Sequence, residues 1–179
     1  MVAVLQGGNA PTQAEFHAAI SSYSDRWYSA CLKITRNPDL AADAVQDALL
    51  NAWNKRHQFK QSAMLETWIH RIAVNAALAL VRKQKPGVFE PFETDIATDD
   101  RSPAQNLEDF ELESDLARQL AGLTDIERVC FVLKHLEQWR AREIAEELGI
   151  NDGQVKQAVF RAVKKLRISM QGMRDGSHD

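Results

Sequence analysis

The stretch from Arg140 to Arg167, RAREIAEELGINDGQVKQAVFRAVKKLR, decides the fold of its half of the chain. Ala145, Gly149 and Val155 stand at the spacings of a helix-turn-helix. Small Ala145 lets the second helix cross close to the first, and Gly149 can take the positive φ of a sharp turn. Ile144, Leu148, Ile150, Val155, Val159 and Leu166 are placed to fill the wedge between the helices, and Asn151 or Asp152 to cap the second one. That helix is expected to turn Val155, Val159, Ala162 and Leu166 inward and Gln154, Gln157, Ala158, Arg161 and Lys165 outward. Between Gln154 and Arg167 there are five basic residues (Lys156, Arg161, Lys164, Lys165, Arg167) and no acid, whereas the helix before it carries Glu143, Glu146 and Glu147. Cations near a helix C-terminus also arise simply because they suit the dipole. The turn spacing and the outward glutamines favour a helix seated in a DNA major groove. There Gln pairs with adenine and Arg with guanine, each discriminating by roughly 1–3 kcal/mol, while lysines meet phosphates.

Working outward, the chain reads as all-α. Apolar residues recur at helical spacing and alternating β-branched runs are absent. A first helix is expected from about Gln13 to Thr35, with Phe16, Ile20, Tyr23, Trp27 and Ala30 or Cys31 on one stripe. Asn37-Pro38-Asp39 starts a second, running to about Trp53–Arg56. A third begins near Ser62, with Leu65, Ile69, Ile72, Ala76 and Leu80 on one face, and stops at Lys85-Pro86-Gly87. Helical pattern resumes with Leu107, Phe110, Ser114, Ala117 and Ala121, breaks at Gly122, and restarts at Thr124-Asp125 through roughly His135. The last helix is expected over Asp152–Ser169, with a frayed polar tail after Met170.

The 179 residues carry a net charge of −3, unevenly spread. Residues 1–85 hold ten Lys/Arg against six Asp/Glu, residues 86–122 two against ten, and residues 123–179 ten against nine. Two modules, 10–85 and 106–170, joined by an acidic linker over 86–105, account for this pattern. No window is apolar enough to span a membrane, and the first nine residues do not resemble a secretory signal, so a cytoplasmic location is expected. Cys31 and Cys130 fall on apolar stripes and read as core residues.

In the first module, the helix from Pro38 turns Ala41, Val45, Ala48 and Ala52 inward, flanked by Leu49 and Trp53. Asp43, Gln46, Asp47, Leu50 and Asn54 share the opposite face, within about a third of the circumference. A leucine ringed by acid and amide groups is either a stray exposed residue or the centre of a protein-docking patch. The loop from Asn54 to Gln61 interleaves Lys55, Arg56, His57 and Lys60 with Phe59, and the next helix places Arg71, Asn75, Leu78 and Arg82 opposite its core stripe. Cations mixed with an aromatic suit single-stranded nucleic acid, although Trp68 on the stripe border reads as core.

Taken in order, these stretches resemble a bacterial RNA polymerase sigma factor of the extracytoplasmic-function (ECF) type. Ala41–Trp53 is similar to the helix that docks the −10-binding domain onto polymerase, and Thr67–Asn75 to the next hallmark of that domain. Leu123–Arg128, Glu143–Ile150, Gly153–Lys156 and Arg161–Arg167 are similar to the −35-binding domain. The resemblance covers about residues 13–169 and implies a subunit that binds core polymerase and directs promoter recognition. It implies that Asp43, Gln46, Asp47, Leu50 and Asn54 meet the β′ clamp helices. Lys55, Arg56, His57, Phe59, Lys60 and Asn75 would hold flipped bases of the −10 strand, with Arg71 and Arg82 on phosphates. The second module would sit on the β flap and place Gln154, Lys156, Gln157, Ala158, Arg161, Lys164 and Lys165 at the −35 groove. An anti-sigma factor is a further partner of this type. The chain departs from the family pattern at Ala42 (usually Glu), Leu49 (often Phe), Gln154, Gln157 and Ala158 (usually Thr, Ser and Arg), and at Gln138-Trp139, where Gly is frequent. An atypical −35 preference follows.

A sigma-like decoy that occupies an anti-sigma factor without binding DNA is the alternative; the retained cations of the last helix oppose it. A conventional regulator would need a ligand or phosphoacceptor domain, which the first 85 residues do not show. No enzyme is expected: the five histidines lack metal-ligand spacing, no Gly-rich phosphate loop occurs, and no cofactor is implied.

Overall fold

The computed structural model describes residues 9–90 and 114–175, and every regular element among them is helical. These elements are α1 (Gln13–Thr35), α2 (Pro38–Asn54), a 3-10 turn (Arg56–Gln58), α3 (Leu65–Gln84), α4 (Ser114–Leu120), α5 (Asp125–Phe131), α6 (Ala141–Leu148) and α7 (Asp152–Asp175). The chain forms two compact units, divided after Gln84. Most of the expected linker, from Pro91 on, and the expected restart at Leu107 and Phe110 lie outside the described residues.

In the first unit each of α1, α2 and α3 packs on the other two. Local chemistry sets their ends. The Thr12 hydroxyl accepts from Glu15 N at 3.2 Å while Glu15 Oε2 accepts from Thr12 N at 2.7 Å, a capping box that starts α1. Asn37 Oδ1 accepts from Asp39 N at 2.9 Å and Leu40 N at 3.1 Å, and Pro38 opens the first turn of α2. Ala41, Ala44, Ala48 and Ala52 are fully buried, so α2 approaches its neighbours closely; Ala44 takes the inward place expected of Val45, which is half-buried. The phase of α3 also differs from expectation. Its buried residues are Ile69, Ala73, Val74, Ala77, Leu78 and Val81, while Leu65, Ile72, Ala76 and Leu80 are half-buried. This helix is apolar over more than one stripe, and packing against both α1 and α2 chose the side.

In the second unit, Thr124 and Glu127 form another capping box at the start of α5, with Glu127 N 3.3 Å from Thr124 Oγ1 and Thr124 N 3.1 Å from Glu127 Oε2. Arg128 is 2% exposed, and its guanidinium lies 2.8 Å from Asp125 Oδ1. Burial acts to raise the Asp125 pKa, but the charge and hydrogen bond of Arg128, with help from Lys85, outweigh it and hold the carboxyl below its ordinary value. The α5 backbone then widens into a π turn over Val132–Leu136, where Glu137 N bonds Val132 O at 2.9 Å. Gln138 follows with φ 61°, and Trp139 is buried. Helix α6 ends at Gly149, whose φ of 69° makes the turn into α7. The helix-turn-helix therefore takes the expected form, but α7 continues past Ser169 to Asp175 where a frayed tail was expected.

Candidate nucleic-acid interface

The outward face of α2 assembles as its spacing requires. Asp43, Gln46, Asp47, Leu50 and Asn54 are all exposed, and Leu50 is 65% exposed at their centre. Nothing in the first unit's own packing accounts for an apolar side chain there.

The loop after α2 is less uniform than its composition suggests. Lys55, His57, Gln58, Lys60 and Gln61 are exposed, but Arg56 and Phe59 are engaged within the fold. The Arg56 guanidinium lies 4.2 Å from the Trp53 ring centroid and its Nη1 donates to Trp53 O at 2.8 Å. The Phe59 ring stands 5.3 Å from that of Trp68, which is half-buried. Met64, 65% exposed at the end of this loop, was not singled out by its sequence context.

On α3, Arg71, Asn75 and Arg82 are half-buried and Leu78 is fully buried. The expectation that these four stand away from the core is therefore corrected: Arg71, Asn75 and Arg82 border it and Leu78 belongs to it. Asn75 Oδ1 is buried without a hydrogen-bond partner among the described residues. An acceptor left so costs about 1–3 kcal/mol unless a donor reaches it.

On α7, Lys156, Gln157, Arg161, Lys164 and Arg167 are exposed and form a continuous cationic arc. Three neighbouring candidates behave otherwise. Ala158 is 6% exposed and packs inward with Val155, Ala162 and Leu166, so its outward placement is corrected; Val159, expected inward, is half-buried. Gln154 closes a capping box, its Oε1 accepting from Asn151 N at 2.9 Å and its own N donating to Asn151 Oδ1 at 2.9 Å. Lys165 Nζ lies 2.7 Å from Glu127 Oε2. Phe160, 69% exposed one turn from Gln157 and Lys164, was missed although a helical projection puts it in the arc. Ile168 and Met170 continue the exposed apolar residues at 61% and 54%.

Both cysteines are buried. Cys31 Sγ donates to Ala73 O at 3.4 Å, and burial pushes the Cys130 thiol up to about 12. Among the described residues no group of three or more His, Cys, Asp and Glu side chains is placed to hold a metal, and no helix is long and apolar enough to cross a membrane.

A three-helix unit with an acidic, leucine-centred face and a helix-turn-helix unit with a cationic recognition helix define a modular DNA-binding protein of the helical class. Residues 19–86 match the family model for Sigma-70 region 2, and residues 114–166 that for Sigma-70 region 4. The chain is 28% identical over 165 residues to the ECF RNA polymerase sigma factor SigW of Bacillus subtilis, covering 87% of this chain and 88% of SigW. It is 31% identical over 134 residues to the ECF sigma factor SigM of Mycobacterium tuberculosis, covering 74% of this chain and 65% of SigM. Its fold is shared with the sigma factor RpoE of Bartonella quintana, solved with the anti-sigma factor NepR, at a TM-score of 0.57 and 24% identity over 88% of this chain and 97% of that one. The chain belongs to the ECF-type RNA polymerase sigma factors, with core polymerase and promoter DNA as its partners.

Proposed function

We propose that this sigma factor divides its work among three surfaces. The first module, residues 10–85, docks on the β′ clamp helices through Asp43, Gln46, Asp47, Leu50 and Asn54. The same module holds the melted −10 strand with Lys55, His57, Lys60 and Asn75, with Arg71 and Arg82 at its border. The acidic linker over 86–105 joins it to the −35 module, 106–170, which sits on the β flap. There Gln157 and Arg161 read base edges while Lys156, Lys164 and Arg167 meet phosphates. With Gln154 in a capping box and Ala158 buried, the base-reading set is smaller than the helix length suggests.

The observation that carries this reading is the cationic arc of α7, exposed along one side from Lys156 to Arg167. A decoy that never touches DNA has no use for four exposed cations, Lys156, Arg161, Lys164 and Arg167, without an acid among them. The protein acts as a non-enzymatic specificity subunit in the cytoplasm, where polymerase is. An anti-sigma factor holds it in check, as NepR accompanies the Bartonella quintana protein in its crystal. The test is to sequence genomic DNA enriched by the protein with core polymerase and to transcribe the recovered fragments in run-off assays. Defined transcripts dependent on this chain support the reading. Binding to polymerase with no initiation on any recovered fragment favours the decoy.

A further inference from the structure

We propose that Arg56 is a positioning residue for the −10 strand, acting through Trp53, and is not one of its phosphate ligands. This rests on the reading that the loop from Asn54 to Gln61 holds that strand. Arg56 is held twice: its guanidinium stacks 4.2 Å from the Trp53 ring centroid, and Nη1 donates to Trp53 O at 2.8 Å. A planar, weakly hydrated guanidinium suits such a stack better than a lysine ammonium does. Trp53 meets Phe16 of α1 edge-on at 5.1 Å, and Phe16 is buried. A line of contacts therefore runs from the core through Trp53 to the first turn of the loop. Three residues on, Phe59 rests on Trp68 of α3. With Arg56 and Phe59 both held, the exposed His57 and Gln58 between them and Lys60 and Gln61 just beyond are presented together, and less conformational entropy is lost when a strand arrives.

Trp53 also borders the other interface. It stands one turn from Leu50 on α2 and is 37% exposed, so a protein seated over Leu50 reaches its ring. Covering the stack removes water from it, and a desolvated cation–π contact is stronger than an exposed one.

The test uses holoenzyme and a fork-junction form of a promoter recovered by the enrichment above, with the −10 non-template strand unpaired and affinity measured across a salt series. Arg56→Gln is expected to weaken binding by about three- to tenfold with the salt slope unchanged. Lys60→Gln in the same loop should lower the slope by about 0.7, the signature of a lost single-strand phosphate contact. Trp53→Leu should weaken binding as Arg56→Gln does, and the double variant no more than either. A slope reduced in Arg56→Gln, full rescue by Arg56→Lys, or unchanged affinity in Arg56→Gln beside an effect of Lys60→Gln overturns the proposal and leaves the loop reading intact. If neither Lys60→Gln nor Arg56→Gln changes affinity, the loop reading fails and the proposal with it. The Arg56 and Lys60 variants decide the matter even where Trp53→Leu does not fold.

Discussion

Lys165 Nζ lies 2.7 Å from Glu127 Oε2, and this ion pair ties the recognition helix α7 to the first turn of α5. Glu127 is 5% exposed and also closes the capping box with Thr124, so one carboxylate serves the start of one helix and the seat of another. Lys164, the next residue, is exposed on the cationic arc.

Adjacent lysines should therefore respond differently to loss of charge. Lys165→Gln strips a buried carboxylate of its counter-charge and is expected to lower stability by about 1 kcal/mol, trimmed by the partial exposure of the lysine. Lys164→Gln is expected to leave the melting temperature unchanged and to reduce the salt slope of −35 duplex binding by about 0.9. Thermal melts and anisotropy titrations at several salt concentrations separate the two effects; identical behaviour of both variants would contradict the assignment.

The exposed face of α2 makes a second prediction. Asp47→Arg and Leu50→Ala should each weaken polymerase binding by about tenfold or more, as expected of residues at the centre of a docking patch. Both should shift folding stability by less than about 0.5 kcal/mol, since neither side chain is buried. Binding of the isolated −35 duplex serves as the control and should not move.

Gln138 sits at φ 61°, where side chains are strained and β-branched ones most of all. Its Nε2 donates to His135 O at 2.9 Å, which offsets part of that cost. Gln138→Gly is expected to be at least as stable as the parent, whereas Gln138→Val should lose about 1–2 kcal/mol. Urea midpoints in the order Gly, Gln, Val would bear this out, and a stable Val variant would argue against the left-handed turn.

Burial raises the Cys130 thiol to about 12 from an ordinary value near 9.0. A thiol pKa raised on folding means that the unfolded chain loses its proton first as pH rises. The associated stability is whole below about pH 8.5 and falls between there and about pH 12. Neither Cys130 nor Cys31 should react with a thiol reagent at pH 8 until denaturant is added. Rapid labelling of the folded protein would refute the burial of both.

Much of the architecture is legible without coordinates because its signals are local. The start of α2 at Asn37-Pro38 and the turn at Gly149 depend on residues a few positions apart, and α1 begins and ends where its pattern does. The exposed face of α2 was readable because its alanine stripe leaves only one side for Asp43, Gln46, Asp47, Leu50 and Asn54. The phase of α3 was not, since an apolar helix with two neighbours offers several faces to bury and Leu78 joined the core. On α7 the projection gives Gln154, Ala158 and Lys165 nearly the outward angle of Arg161, but says nothing of what lies beside each.

From its order of residues alone, this chain determined its helices, its two modules and the helix that carries the exposed cations, since caps, breakers and periodicity act over a few residues. Folding decided which candidate side chains are already engaged: Arg56 on Trp53, Gln154 on Asn151, Lys165 on Glu127, and Ala158 in the core. Glu127 is 38 positions from Lys165, and a contact at that separation exists only once α5 and α7 have packed.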